Sequence, residues 1–278
     1  MERFGNEKCV LIEACLVASC AGFPLSLMTT SFAAESTMPA SYVDAVKPEL
    51  AAKYTYTENG EYSKALNIPT YEWMPAASPP KVIVLGVHGL TLHGRRFRVL
   101  ARTLAVNGVG FVAMDMRGFG ACRFDEQKQF SSKTDDKTKV DHEKRYEDIV
   151  KLAKLVKEKY PDVRLVALGE SLGCTFCVRL AAEYPDLIFG VMLSAPAVRI
   201  SRSMYAGRGQ IKHGVKAVVS LRNELDLRSF FTELCSQRED VQKEIRDDPL
   251  RSGASKQVLI WWYLFCRAAT MDVSRLNM

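Results

Sequence analysis

The sequence predicts an α/β protein, a mostly parallel sheet with helices on both faces. Three observations carry that prediction. Short, almost uninterrupted apolar runs at 82–87, 110–114, 165–169 and 188–193 have the length and continuity of strands covered on both sides. Amphipathic stretches of helical length separate them, and strict alternation of strand and helix implies βαβ units and a parallel sheet. Finally, the run 165–169 passes through Gly169-Glu170-Ser171-Leu172-Gly173 into the helical pattern Phe176, Cys177, Leu180, Ala181 and Tyr184. That is a strand, a tight turn with serine at its apex, and a helix.

The whole chain bounds the answer. Its 278 residues, 47% hydrophobic and 25% charged, suit one large globular α/β domain or two small ones. The net charge of +6 is interspersed with acidic residues. It describes solvated helix faces and predicts no nucleic-acid partner, while leaving room for peripheral contact with an anionic membrane surface. Of eight cysteines, Cys174 and Cys177 have half-site spacing. They fall on the helix after Ser171 with no second pair, so packing, with no metal site and no disulfide framework, is expected.

In order, residues 1–40 form an N-terminal extension. Arg3 and Lys8 precede an apolar stretch to Gly22, and small residues follow at 31–35, as in a signal peptide. Val17-Ala-Ser-Cys20 also resembles a lipobox, whereas Glu2, Glu7 and Glu13 oppose membrane insertion and leave a peripheral extension as the alternative. The expected location is exported or membrane-associated through this segment, otherwise cytoplasmic.

Residues 41–197 form the expected core. After a linker at 41–50, the alternating stretch 54–57, the turn signal Asn59-Gly60 and the run 68–73 predict an opening hairpin. The strand 82–87 ends in His88-Gly89-Leu90, a helix is expected over 95–106, and the strand 110–114 ends in Asp115-Met-Arg117-Gly-Phe-Gly120. The polar stretch 122–140 reads as a loop, and 142–160 as a helix with Ile149, Leu152, Leu155 and Val156 on one face. The strand 188–193 closes in Ser194-Ala-Pro-Ala197. Residues 198–278 are helical patches at 215–221, 227–234, 240–246 and 257–269, the last apolar almost all round. Nothing after the N-terminal segment offers about 20 uninterrupted apolar residues, so no internal membrane span is expected.

Open parallel sheets bind ligands at the carboxyl ends of their strands, where His88, Asp115, Ser171 and Ser194 fall. G-x-S-x-G in a strand–turn–helix context raises a serine hydroxyl above the sheet, with glycines where helix and strand pack tightly. The bland alternative is a small-residue turn with Ser171 as helix N-cap. The upstream His88-Gly89-Leu90 turn weighs against it.

His88-Gly89-Leu90, Asp115-x-Arg117-Gly118-x-Gly120, the serine turn, Ser194-Ala-Pro-Ala197 and Asp248-Pro-Leu250 occur in an order that resembles the α/β-hydrolase fold. More narrowly, it resembles the monoacylglycerol lipase and lysophospholipase-like group, also classed as the serine aminopeptidase S33 type, over about residues 50–278. The resemblance implies a nucleophile at Ser171 and an oxyanion hole from the backbone N–H groups of Leu90 and Leu172. It implies a structural His88, with Asp115 and Arg117 pinning a loop, a helical cap at 198–278, and no cofactor. The implied reaction is hydrolysis of small acyl esters of glycerol or lysophospholipids through an acyl-enzyme.

Such a serine needs a base oriented by a carboxylate, in the chain order Ser, Asp or Glu, His. Of His88, His93, His142 and His213, only His213 follows Ser171, within the cap. The resemblance puts acid and base beyond the cap, so the sequence reads as ending before the last strands, with 188–193 an open, aggregation-prone edge. A poorly folding or poorly hydrolysing chain is expected on that reading. Two alternatives stand beside ester hydrolysis: a non-catalytic lipid-binding protein, and an aminopeptidase, for which no amine-binding carboxylate is assigned.

Overall fold

The computed structural model describes residues 48–196, 224–225, 236–251 and 254–255. The expectations for residues 1–40, for His213 and for helical patches at 215–221, 227–234 and 257–269 lie outside them.

The elements in order are α1 (Pro48–Ala51), β1 (Tyr54–Glu58), α2 (Glu61–Leu66), β2 (Thr70–Pro75), β3 (Val82–Val87), a 3-10 turn (Gly94–Phe97), α3 (Arg98–Val106), β4 (Gly110–Met114), α4 (Gly120–Arg123), α5 (His142–Lys159), β5 (Arg164–Glu170), α6 (Leu172–Glu183), β6 (Gly190–Ser194), β7 (Glu224–Leu225), α7 (Glu239–Asp247) and β8 (Ala254–Ser255). Strands β1 to β6 make one sheet in the order β1-β2-β4-β3-β5-β6, and β7 pairs with β8. The central pairs β3–β4, β3–β5 and β5–β6 are parallel, while β1–β2 and β2–β4 are antiparallel.

Strand periodicity divides the core between the two faces. Ile83, Leu85 and Val87 of β3 pack with Val112, Met114, Leu165 and Ala167 against Ile149, Leu152 and Val156 of α5 and Phe176 and Leu180 of α6. Their neighbours Val84, Phe111 and Ala113 face the other way, onto Tyr71, Trp73, Phe97, Ala101 and Ala105. Each large buried side chain contributes about 2 kcal/mol, so both helix layers are held by the strands they cover. Asp141 caps α5 by accepting from Lys144 N at 3.1 Å, which supplies one otherwise orphaned N–H with a partner.

Several boundaries differ from expectation. The opening strands do pair antiparallel, but their connection carries α2, closed by Asn67 in the left-handed region at φ 54°, ψ 46°. Asn59-Gly60 therefore leads into a helical turn within that hairpin. The second strand begins at Thr70 rather than at the buried Ile68, and Pro69 between them has no N–H to give to a ladder. The expected helix over 95–106 is split into a 3-10 turn and α3, α4 enters the expected loop at 122–140, and α1 enters the linker. Strand β6 runs from Gly190 rather than 188. Among the described residues it pairs with β5 alone, and Met192 and Leu193 are exposed.

Candidate active site

The carboxyl ends of β3, β4 and β5 bring three loops together. The tightest links β5 to α6. Ser171 adopts φ 52°, ψ −111°, a region costing a non-glycine residue about 1–3 kcal/mol. Packing enforces it. A Cβ on Gly173 would lie 2.0 Å from Val87 O, and one on Gly169 would lie 2.4 Å from Cys174 Cα, so the first turn of α6 rests directly on β3 and β5. Ser171 N donates to Ser194 O of β6 at 2.9 Å. Cys174 Sγ donates to Gly169 O at 3.1 Å and to Ser194 O at 3.3 Å, and burial pushes its thiol up to about 12. The Ser171 side chain makes no capping hydrogen bond to α6, which removes the N-cap explanation. Leu172, as the first residue of α6, carries an N–H with no carbonyl partner in its own helix.

A second turn abuts the first. Leu92 N donates to Gly89 O at 3.3 Å, closing Gly89-Leu90-Thr91-Leu92 with Thr91 at φ 64°. That is the third position of a type II turn, where glycine or asparagine is the ordinary choice. A Cβ on Gly89 would approach both Ser171 Cβ and Glu170 O to 3.2 Å, so Leu90 sits on a turn in contact with the serine. Thr91 is 1% exposed, and its hydroxyl has no hydrogen-bond partner among the described residues.

His88 anchors this turn. Met116 N donates to its Nε2 at 2.9 Å, so the ring is the Nδ1–H tautomer and donates to Gly89 O at 2.8 Å. Burial drives its pKa down to about 3. Both nitrogens are committed and the ring is neutral, which matches the expected structural role.

Asp115 and Arg117 pin the neighbouring loop, as expected. The fully buried Asp115 carboxylate accepts from Gly94 N at 2.7 Å, Ala121 N at 2.8 Å and Tyr71 Oη at 3.0 Å. Burial raises its pKa to about 6 although those donors oppose the rise. A Cβ on Gly120 would lie 2.3 Å from Asp115 Oδ2. Arg117 binds Asp148 through Nε and Nη2 at 2.7 and 2.9 Å, and Asp135 through Nη1 at 2.7 Å. Arg145 donates to Arg117 O at 2.8 Å and lies 4.7 Å from the centre of the Phe119 ring.

One link had no sequence signal. His93 Nε2 bonds Asp248 Oδ2 at 2.8 Å, with both side chains buried and 155 positions between them. Burial holds His93 well below the ordinary imidazole range and raises Asp248 to about 6. A neutral imidazole therefore donates Nε2–H to the carboxylate. Arg98 also pairs with Glu244 of α7. These contacts fasten α7 and Asp248-Pro249-Leu250 to the segment just beyond the Gly89–Leu92 turn.

The structure thus brings Ser171, Leu172 and the Leu90 turn together. It does not bring a histidine to Ser171 among the described residues: His88 and His93 are engaged as above, and His142 Nδ1 meets Arg145 Nη1 at 3.2 Å. No three His, Cys, Asp or Glu side chains among the described residues form a group that could hold a metal ion.

Comparison with known proteins agrees with this geometry. Residues 78–275 match the family model for serine aminopeptidase, S33. Over 126 residues the chain is 29% identical to a monoglyceride lipase homolog of monkeypox virus and 27% identical to monoglyceride lipase of Mus musculus. Those matches take in 45% of this chain but 42% and 38% of the two relatives, so the chain spans about two-fifths of their length. A soluble variant of monoglyceride lipase from Saccharomyces cerevisiae, solved with a substrate analog, superimposes with a TM-score of 0.57 at 18% identity, covering 87% of this chain and 74% of that one. Strand order, the serine turn and a family match over most of its length agree that the chain belongs to the serine aminopeptidase S33 family of α/β-hydrolases.

Proposed function

We propose that this chain is a serine hydrolase of small carboxylic esters, acting on acyl glycerols or lysophospholipids through an acyl-enzyme on Ser171. The observation that carries this reading is the contact of two turns. A Cβ on Gly89, the residue before Leu90, would come within 3.2 Å of Ser171 Cβ, and this closeness supports an oxyanion hole made by the N–H groups of Leu90 and Leu172. Ser171 Oγ attacks the ester carbon, the carbonyl oxygen becomes an oxyanion, and those two N–H groups hold it. Collapse expels the alcohol with a proton and leaves the acyl group on Ser171. Water then repeats the attack, releases the acid and restores the serine. The base lies outside the described residues on this reading. His213 is the one histidine after Ser171 in this sequence, and it would act only with its ring about 3 Å from the serine oxygen. The matched monoglyceride lipases favour glycerol esters as substrate.

The test is labelling by a fluorophosphonate probe together with hydrolysis of a p-nitrophenyl acyl ester. Replacing Ser171 by alanine removes the labelling and lowers hydrolysis by about 10³-fold or more. Labelling that survives in Ser171→Ala, or a folded wild-type chain that neither labels nor hydrolyses, sinks the proposal.

A further inference from the structure

We propose that a cavity at the amino edge of the sheet, built around the Glu72 carboxylate, binds a small organic cation: a primary ammonium on a short apolar stem. Glu72 lies on β2 and is 6% exposed, yet no hydrogen bond or ion pair reaches its carboxylate among the described residues. It lines an open cavity of about 430 Å³. Strand alternation puts Glu72 and Met74 on the face of β2 opposite to Tyr71 and Trp73, which belong to the other half of the core. Across the strand pair, Thr57 stands opposite Glu72 and Thr55 opposite Met74. Gly60 leaves room for the carboxylate, since a Cβ there would lie 2.8 Å from Glu72 Oε1. A carboxylate taken out of water without a donor is costly, and threonine or valine would serve the strand better. Sheet formation therefore gives no reason for glutamate at this position.

The surroundings specify the charge of the ligand. Lys159, on the same cavity wall, is committed to Glu61 at 2.9 Å. Burial raises the pKa of Glu72, and the charge of Lys159 only opposes that rise. With Glu61 and Lys159 paired, the Glu72 carboxylate leaves the cavity one negative charge, matched by a ligand of charge +1. An ammonium carries donors and no acceptor, the complement of an acceptor-only carboxylate. Met74, Pro75, Pro79 and Pro80 supply an apolar wall along which a stem of a few methylenes can lie. The cavity is remote from the serine. Strand β2 runs antiparallel to β4, with Thr70 opposite Met114 and Trp73 opposite Phe111. Met74 thus reaches the start of β4, where a Cβ on Gly110 would lie 2.8 Å from Met74 Sδ and 3.2 Å from Pro80 Cγ. Ser171 follows the carboxyl end of β5, at the other edge of the sheet, so this site does not depend on the hydrolase reading.

Titration of the chain with n-butylammonium chloride at neutral pH and fixed ionic strength, followed by ligand-observed NMR, tests the proposal. The wild type should bind with a Kd of about 1–10 mM. The uncharged 1-butanol, with the same stem, should bind about tenfold more weakly or worse. Glu72→Gln keeps the shape and removes the charge. It should weaken butylammonium by about tenfold or more and melt no lower than wild type, because an unpaired buried charge is gone. Thr57→Lys places an ammonium opposite Glu72 on the exposed β1, and should raise the melting point and abolish butylammonium binding. Ser171→Ala should bind like wild type, whatever becomes of hydrolysis. Absence of binding to the wild type overturns the proposal, as does equal affinity in Glu72→Gln, equal affinity for 1-butanol, or loss of binding in Ser171→Ala. If Glu72→Gln does not fold, Thr57→Lys decides: unchanged affinity for butylammonium overturns the site, and its loss in a folded chain upholds it.

Discussion

Two turns meet at the carboxyl edge of the sheet, and both carry a non-glycine residue at positive φ: Ser171 at 52° and Thr91 at 64°. They are held in different ways. The Ser171 turn is fixed by steric closeness, with glycines wherever α6 meets backbone at distances no Cβ tolerates. The Gly89–Leu92 turn is fixed by polar contacts: the His88 ring ties Gly89 O to Met116 N, and the His93–Asp248 bond secures its far side. A turn set by packing has one conformation for as long as the sheet exists. One set by buried hydrogen bonds depends on the protonation of its anchors.

Gly173→Ala tests the packed turn and should have the largest effect. Its Cβ would sit 2.0 Å from Val87 O, and neither partner is a flexible side chain. A loss of about 3 kcal/mol or more is expected, with failure to fold or a melting point lowered by some ~6–12 °C. A near-wild-type melting point would show that α6 can shift off β3.

His88→Asn tests the polar turn and should cost about 2 kcal/mol at neutral pH through lost hydrogen bonds and a small cavity. Its pH dependence is the sharper observation. His88 is lowered from 6.5 to about 3 in the fold, so its contribution is complete above pH 6.5 and lost as pH falls through that window. The gap between wild type and variant should therefore narrow on acidification, by up to about 1.4 kcal/mol per pH unit. A gap constant from pH 7 to pH 4 would mean that the ring is not held neutral by burial.

The smallest effect is the stability of Thr91→Gly. Relief of positive-φ strain is offset by the chain entropy that glycine loses on folding, and a net gain of about 1 kcal/mol is expected. Unfolding in urea would measure it, and a loss of stability would show that Thr91 packing matters more than its strain.

Particular residues show how far the sequence could be read. Strands β3 to β5 are visible because burial on both faces requires continuous apolar runs. Ser171 is visible because the approach of α6 to β3 and β5 permits only glycine at 169 and 173. The helix inside the opening hairpin is less so: Glu61–Leu66 is six residues long, too short for periodicity to announce, and its marker is the left-handed Asn67. Thr91 passes unnoticed because threonine gives no warning of positive φ.

By itself, the sequence determined the parallel sheet, the strand–serine–helix turn and the family resemblance. Each rests on local pattern or on neighbours close in the chain. Tertiary structure alone decided the contact of Gly89 with Ser171, the neutral tautomer of His88 and the bond between His93 and Asp248. Those depend on distances between segments up to 155 positions apart and on burial, which lowers an imidazole and raises a carboxylate only once the fold has removed water around them.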